Sequence, residues 1–171
     1  MKKICNTLKS LMLAATVMMC CGLFSHCSNA QTSPNDLPIE TLTELQTAFP
    51  KAAHVELLEP SYYAVKNAKG KVIGHVLLSS PYSDDIKGFN GPTPLQIALD
   101  KDGKIIEVRV LENDETPGFL SRVVKTGFLD SWNGKTIQEA LDMEVDAVTG
   151  ATFSSNAIQK SLKARLQAVK R

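Results

Sequence analysis

Cysteine is missing from the sequence after position 27. The chain has four cysteines, and all of them lie near its start, at Cys5, Cys20, Cys21 and Cys27. A domain folded from the remaining residues therefore holds no disulfide, no thiolate metal site and no cysteine nucleophile. An excess of one charge sign is missing as well, because 19 basic and 18 acidic residues leave a net charge of +1. This balance excludes the strongly basic surface that is typical of nucleic-acid-binding domains.

The sequence also lacks an apolar run long enough to span a membrane. Its apolar stretch at residues 11–24 is shorter than the roughly 20 residues that a spanning helix needs. Three lysines precede this stretch, and small residues follow it at 28–30. The order is typical of an export signal, so we predict a leader over residues 1–30. Lipidation at Cys27 and a retained anchor are the alternatives, and export places the domain in the periplasm or at the membrane surface.

Residues 31–37 are polar and rich in turn formers, which indicates a flexible lead-in to a single domain over residues 38–171. The domain is predicted to open with a short amphipathic helix ending before Pro50, because apolar residues recur at helical spacing at Ile39, Leu42, Leu45 and Phe49. Two β-hairpins follow. Apolar residues around the Lys69-Gly70 turn form the first, and strict alternation on both sides of the turn at 100–103 forms the second.

Three helices are predicted after the hairpins. Residues 118–127 carry apolar side chains at helical spacing, Thr136 and Glu139 form a capping box, and a final helix has the apolar stripe Ile158, Leu162, Leu166 and Val169. The basic residues of the final helix are expected on a solvated face: Lys160, Lys163, Arg165, Lys170 and Arg171. Helices beside an antiparallel sheet of hairpins predict an α+β fold.

The loop that precedes the final helix, DAVTGATFSS at residues 146–155, carries three hydroxyls around a Gly-Ala pair. Free backbone amides and the positive end of the helix dipole beside Thr152 favour an anion there, above all a phosphate. Gly150 and Ala151 add little bulk, so a ligand or another enzyme can approach the threonine closely. The alternative is an ordinary turn with a helix cap at Ser154, Ser155 or Asn156.

The segment DAVTGAT at residues 146–152 resembles the Asp-x-x-Ser/Thr-Gly-Ala-Thr flavinylation motif of the FMN-binding domains in RnfG and NqrC subunits of membrane electron-transfer complexes. Two further motifs of that family occur upstream in the family's order, GFNGP at 88–92 and ETPG at 115–118. The resemblance covers residues 88–171 and, more weakly, the strands from Ser61. It implies an FMN-binding-domain-like fold with FMN as a covalent cofactor.

The resemblance also implies roles for individual residues. A dedicated flavin transferase would join the FMN phosphate to Thr152 as a phosphoester. The transferase would recognise the motif residues Asp146, Thr149, Gly150, Ala151 and Thr152, and the loop residues from Thr149 onward would also contact the bound cofactor. The upstream motif would contribute further cofactor contacts from Glu115, Thr116, Pro117 and Gly118. Phe119, Phe153 and Trp132 are candidates to shield the flavin ring, with packing in the core as their alternative.

No residue pattern in the chain indicates a catalytic or metal site. Thr152 has no base partner, since His26 lies in the leader, and His54 and His75 are far away in sequence without a triad-like context. The same isolation of the histidines gives no metal-ligand spacing. The sequence therefore favours a redox carrier over a stand-alone enzyme.

The leading hypothesis is an exported flavoprotein near the membrane that takes electrons from a membrane electron-transfer protein and passes them to an unidentified acceptor. Covalent attachment keeps the carrier loaded where FMN cannot readily be replaced. A flavin-dependent reductase of a small acceptor and an exported interaction module without flavin are the alternatives. The chain is shorter than RnfG and NqrC subunits and its leader resembles a signal more than an anchor, which favours a stand-alone protein over a subunit of an ion-pumping complex.

Overall fold

The computed structural model describes residues 45–170. The predicted leader, the lead-in at 31–37, and the start of the predicted first helix lie outside the described residues. After a helical stretch at 45–48, the described chain forms five strands and then four helical elements. The strands are β1 (His54–Glu59), β2 (Tyr62–Lys66), β3 (Val72–Leu78), β4 (Leu95–Asp100) and β5 (Ile105–Val110), and the helices are α1 (Pro117–Lys125), a 3-10 helix (Phe128–Trp132), α2 (Ile137–Asp142) and α3 (Thr152–Lys170).

The strands form one antiparallel sheet in which each strand pairs with the next along the chain, in the order β1-β2-β3-β4-β5. Val76 of β3 is opposite Ala98 of β4, and Ile97 of β4 is opposite Val108 of β5. Both predicted hairpins are present, and the α+β fold class is confirmed. The sequence did not predict β1, whose segment HVELLE places most of its side chains in partly or fully exposed positions.

Both faces of the sheet are covered. On one face, Leu77, Leu95, Ile97 and Leu99 pack against the helical elements through Val123, Trp132, Ile158, Leu162 and Leu166. On the other face, Val65, Val76 and Ala98 pack against Leu45 and Phe49. Successive strand residues alternate between the faces, so the period-2 pattern of β4 supplies Ile97 to one core and Ala98 to the other. Residues 45–48 are helical, as the spacing predicted.

The helices follow their sequence signals closely. Proline lies in the first turn of α1, where its missing N–H costs nothing. The predicted capping box of α2 is present, with the Thr136 hydroxyl accepting from the Glu139 N–H at 3.2 Å and the Glu139 carboxylate accepting from the Thr136 N–H at 2.8 Å. Within α1, Val123 is buried and its neighbour Val124 is exposed.

Arg165 corrects the prediction of a fully solvated basic face on α3. Its side chain is buried, with Nε donating to the Leu78 carbonyl at 2.7 Å and Nη2 donating to the Ser61 carbonyl at 2.9 Å. Its guanidinium also lies 4.4 Å from the centre of the Tyr82 ring, within cation–π range. Burial lowers the pKa of Arg165. The residue thus fastens α3 to the ends of β2 and β3.

We expect the substitution Arg165→Met to lower the free energy of unfolding by roughly 1–3 kcal/mol, because two partly buried carbonyls lose a charged donor while the side-chain volume is nearly kept. Urea denaturation of the purified domain measures this loss. The matched control is Lys160→Met on the exposed side of the same helix, expected to stay within about 0.5 kcal/mol of the parent. Equal stabilities of the two variants would contradict the fastening role.

Between residues 45 and 170, none of the helices has both the length and the apolar character needed to cross a bilayer.

Candidate functional site

The segment at 146–152 forms a tight turn that leads directly into α3. The Ala151 N–H donates to the Val148 carbonyl at 2.9 Å, and Gly150 adopts the left-handed conformation at φ +75. The Ser155 N–H then donates to the Ala151 carbonyl at 2.9 Å as the first hydrogen bond of the helix. Thr152 is therefore the first residue of α3 and follows the turn without a spacer.

The serines after Thr152 stabilise this turn from inside the helix. Ser155 is buried; its hydroxyl accepts from the Val148 N–H at 3.1 Å and lies 3.0 Å from the Ala151 carbonyl, to which it donates. The predicted cap at Ser154, Ser155 or Asn156 is wrong in position, because the glycine turn lets the helix begin two residues earlier than the first of them. The hydroxyl of Ser155 nevertheless satisfies a backbone donor of the loop, as a cap would.

Thr152 is exposed at a helix terminus with anion-binding character. The N–H groups of the first three helical residues have no acceptor within the helix, and the dipole of the 19-residue helix α3 points its positive end here. Arg122 of α1 lies beside the same turn, with Nη1 3.5 Å from the Gly150 carbonyl. Sequence reasoning missed Arg122, since its place near the end of α1 looks like an ordinary solvated cation.

A cavity of about 290 Å³ lies at this helix terminus, lined by Phe89, Phe119 and residues 150–154. Phe89 meets Phe119 edge to face with ring centres 4.9 Å apart, and its ring centre is 6.5 Å from that of Phe153. Phe89 and Phe153 are 59% and 71% exposed, so both rings border solvent. The cavity thus joins an aromatic rim to the polar start of α3.

Trp132 does not belong to this rim. It is fully buried in the core and packs edge to face on Phe128, with ring centres 5.2 Å apart. Phe119 and Phe153, the other two ring-shielding candidates, line the cavity. Phe89 belongs to the motif at 88–92 but was not predicted as a site residue. Its signal was an aromatic residue close to two glycines, a position that a core residue rarely occupies.

Glu115 joins the upstream motifs to the loop. Glu115 is 5% exposed, and its carboxylate accepts hydrogen bonds from the Asn90 N–H at 2.8 Å and from the Ser154 hydroxyl. Burial favours a higher pKa for Glu115, but the hydrogen bonds from Ser154 and from the backbone of Asn90, Gly91 and Phe89 outweigh burial and lower the pKa below its usual range.

The rest of that motif lies outside the aromatic cavity. Glu115 and Pro117 line a separate concavity of about 500 Å³. Thr116 precedes α1 without a side-chain capping bond, and Gly118 is exposed with open space at its Cα. Their cofactor contacts stay a prediction. Asp146 and Thr149 line a third concavity of about 520 Å³, next to Arg122.

Histidines and metal ligands contribute nothing to this region. His54 is exposed on β1, and His75 of β3 packs against Tyr62 with ring centres 5.5 Å apart. Burial lowers the pKa of His75. Over residues 45–170, no three or more histidine, cysteine or acidic side chains are arranged to hold a metal ion.

The lowered pKa of Glu115 gives a test by pH. Its ionised form contributes stability above the ordinary glutamate pKa near 4.5, and this contribution is lost as the pH falls through the lower folded value. We expect Glu115→Gln to cost roughly 1–3 kcal/mol at neutral pH and progressively less as the pH falls below 4.5. Urea unfolding of both proteins across this range measures the difference. A gap that stays constant with pH would contradict the role of the charge.

Comparison with known proteins assigns residues 88–167 to a family. The model of the FMN-binding domain matches this segment. The G subunit of the ion-translocating oxidoreductase complex of Shewanella piezotolerans is 28% identical over 115 residues, which cover 61% of this chain and 51% of that protein. The G subunit of the proton-translocating ferredoxin:NAD(+) oxidoreductase complex of Clostridium ljungdahlii is 31% identical over 91 residues, which cover 48% of this chain and 49% of that protein.

The corresponding protein of Photorhabdus laumondii, from its ion-translocating oxidoreductase complex, is 31% identical over 113 residues, which cover 60% of this chain and 51% of that protein. The chain thus spans about half the length of the curated relatives it matches. The crystal structure of NqrC from Shewanella oneidensis aligns with a TM-score of 0.42 at 18% identity, covering 72% of this chain and 73% of that one. The segment at residues 88–167 that matches the FMN-binding domain contains all three motifs, the residues of the aromatic cavity and the start of α3. Residues 88–167 of this chain therefore belong to the FMN-binding domain family.

Proposed function

We propose that this protein is an exported flavoprotein that carries one FMN as a phosphoester on Thr152 and passes electrons between a membrane donor and a further acceptor. The observation that carries the proposal is the exposed Thr152 at the start of α3, in an aromatic cavity within the segment that matches the FMN-binding domain. The relatives named above are subunits of oxidoreductase complexes, which supports a role in electron transfer.

The polar side of the cavity fits a flavin phosphate. A phosphodiester on Thr152 keeps one negative charge, and the free N–H groups at the start of α3 favour such a charge. Arg122 of α1 adds a cation next to Gly150, which lies two residues before Thr152 in the turn. Gly150 and Ala151 contribute almost no side-chain volume there, so the phosphate can reach the threonine oxygen without a clash.

The apolar side fits a planar aromatic ring. Phe89, Phe119 and Phe153 line the cavity, with Phe89 edge to face on Phe119 and tilted relative to Phe153. Aromatic contacts of this kind stabilise stacked or edge-on rings beyond simple area burial. The volume of about 290 Å³ is at the small end for ligand sites, which suits a ring that stays partly open to solvent. An open edge is what a carrier needs for contact with its partners.

Bound FMN supplies reversible uptake of electrons, and the chain supplies attachment and surroundings. Thr152 holds the phosphate end, the start of α3 and Arg122 balance its charge, and the phenylalanine rim orients the ring and limits water on one side. Over the described residues 45–170, the cavity brings no titratable side chain into its lining. The local residues therefore favour an electron carrier over an enzyme with its own acid and base.

Maturation requires a flavin transferase. In the bond-forming step the Thr152 hydroxyl oxygen bonds to the flavin-side phosphorus of a phosphoanhydride flavin donor. The bond from that phosphorus to the bridging oxygen breaks, and the rest of the donor leaves with the bridging oxygen and the hydroxyl proton. The modified protein gains the mass of FMN less one water. Asp146 and Thr149 are exposed in the loop and line a surface concavity, which supports their role in recognition by the transferase.

The proposal is tested by expressing the chain with and without a flavin transferase of this family and measuring its intact mass. We expect the FMN-less-water increment only with the transferase, on a peptide that contains residue 152, and an in-gel flavin fluorescence that survives denaturation. An unmodified mass under conditions that flavinylate one of the relatives named above would refute covalent loading. Steady reduction of a small acceptor by the loaded protein alone would favour the reductase instead. Cell fractionation tests export.

We expect Asp146→Ala to reduce the rate of flavin loading at least several-fold while leaving the fold intact, since the side chain is exposed. Intact-mass time courses with limiting transferase measure the rate, and thermal unfolding checks the fold. The matched control is Asp142→Ala, an exposed acidic residue four positions upstream, which should load at the parental rate. Equal rates for both variants would remove Asp146 from the recognition role.

A further inference from the structure

The loop at residues 88–91, here called the Phe89 loop, has little apolar burial to hold it in place. Phe89 at its tip is 59% exposed. Within the loop, the Gly88 N–H donates to the Gly91 carbonyl at 2.8 Å. A loop so short and so exposed needs a fixed partner if its aromatic ring is to keep one position at the cavity.

The partner is the carboxylate of Glu115. Its Oε1 accepts from the N–H groups of Asn90 at 2.8 Å and Gly91 at 3.3 Å, which are consecutive donors of the Phe89 loop. Its Oε2 accepts from the hydroxyl of Ser154, in the first turn of α3. One buried side chain therefore connects the loop that carries Phe89 with the helix that begins at Thr152. These groups lie 24 to 39 positions apart in the chain.

Two further contacts show how closely the loop is fitted to this carboxylate. The Asn90 side chain donates to the Asp114 carbonyl at 2.6 Å, next to Glu115 in the chain. A Cβ added at Gly88 would lie 2.6 Å from Glu115 Oε1, so the carboxylate occupies the space that any other residue at position 88 would need. The glycine allows the backbone and the acid to meet.

We propose that Glu115 is a positioning residue that orders the Phe89 loop against the start of α3, and that it acts on a cofactor through Phe89 without touching it. Glu115 does not line the cavity around Thr152, whereas Phe89 and Ser154 do. The ordering of the loop needs no flavin, whereas the effect of Glu115 on a cofactor rests on the proposed function.

The first experiment uses the full chain without flavin. Hydrogen exchange at the amides of Asn90 and Gly91 should be at least tenfold faster in Glu115→Ala than in the parent, with amides of β4 and β5 unchanged. In Glu115→Gln the exchange should be intermediate, because the amide oxygen still accepts while the charge is lost. The control Glu112→Ala removes an exposed acid of the same segment and should leave both amides protected.

Unchanged protection of Asn90 and Gly91 in Glu115→Ala would overturn the proposal. If that variant does not fold, Glu115→Gln decides: exchange at these two amides faster than at the rest of the loop supports the positioning role, and uniform change across the domain overturns it. These outcomes do not depend on covalent loading, so a failure of the proposed function and a failure of this inference are separately visible.

The second experiment uses the loaded protein. Glu115→Ala should still gain the flavin mass, but its flavin fluorescence should be quenched by iodide at least twofold more steeply, because the displaced Phe89 no longer shields the ring. Phe89→Ala should show the same increase, and the double variant should show no more than either single variant. Additive increases would mean that Glu115 acts on the flavin by another route, and an unaltered quenching slope in Glu115→Ala would overturn the cofactor part.

Discussion

Thr152→Ala is expected to abolish covalent flavin completely while leaving the protein folded. The variant removes the oxygen on which the proposed ester would form, and the neighbouring hydroxyls of α3 offer no substitute. Ser154 and Ser155, the nearest hydroxyls along α3, are both buried and engaged with Glu115 or the loop backbone. Because the Thr152 side chain is exposed, its loss should change the free energy of unfolding by less than about 0.5 kcal/mol.

Intact mass and in-gel fluorescence after exposure to the transferase measure the loss. Thr152→Ser keeps an oxygen at the start of α3 and should load in part, which separates the chemistry of the hydroxyl from the shape of the loop. Thr149→Ala is the matched control: it removes the other exposed threonine of the loop and should still yield the full mass increment, at a lower rate. A flavin ester found on Thr149 in the Thr152→Ala variant would contradict the assignment.

The sequence was most informative where a pattern has a local physical cause. Alternation of large apolar with polar or small residues placed β4 and β5, and the apolar residues around the Lys69-Gly70 turn placed β2 and β3. The capping box of α2 and the stripe of α3 were found for similar reasons. By contrast, β1 carries Glu56 and Glu59 and few buried residues, so its segment shows no clean alternation. The segment forms a strand by pairing with β2, and that partner is not visible in the local sequence pattern of β1.

The candidate site was predicted only in part, because its connections are long-range. The three ordered motifs supported the family resemblance and the cofactor contacts that it implies. No local pattern shows that Glu115 bonds to Ser154 or that Arg122 lies beside Gly150. Trp132 was a reasonable ring-shielding candidate by residue type, yet burial in the core decided its place. Arg165 looked like one more surface cation, and only the strand ends that it contacts explain its burial.

The turn before Thr152 requires a glycine at position 150, because a side chain there would strain the backbone and collide with Arg122. At φ +75 a residue with a Cβ is strained by about 1–2 kcal/mol. A Cβ here would also lie 2.0 Å from Nη1 of Arg122 and 3.2 Å from its Cζ, so the guanidinium would have to move. Substitution would therefore disturb both the backbone that presents Thr152 and the cation beside the phosphate position.

We expect Gly150→Ala to lower the free energy of unfolding by roughly 1–3 kcal/mol and the rate of flavin loading at least tenfold. Gly103→Ala is a closely matched control, since Gly103 has φ +79, no atom within 4 Å of an added Cβ, and a place in the β4–β5 turn. It should lose similar stability through backbone strain and load normally. Urea unfolding and intact-mass time courses provide the two measurements.

The double variant Gly150→Ala with Arg122→Ala separates strain from collision. Removing the guanidinium relieves the contact at 2.0 Å but leaves φ unchanged, so part of the stability should return. Loading should stay low, because the double variant lacks the cation and keeps the strained turn. If the double variant loads like the parent, the collision alone matters and Arg122 contributes nothing to the phosphate. If Gly150→Ala loads normally, the left-handed turn is not what presents Thr152.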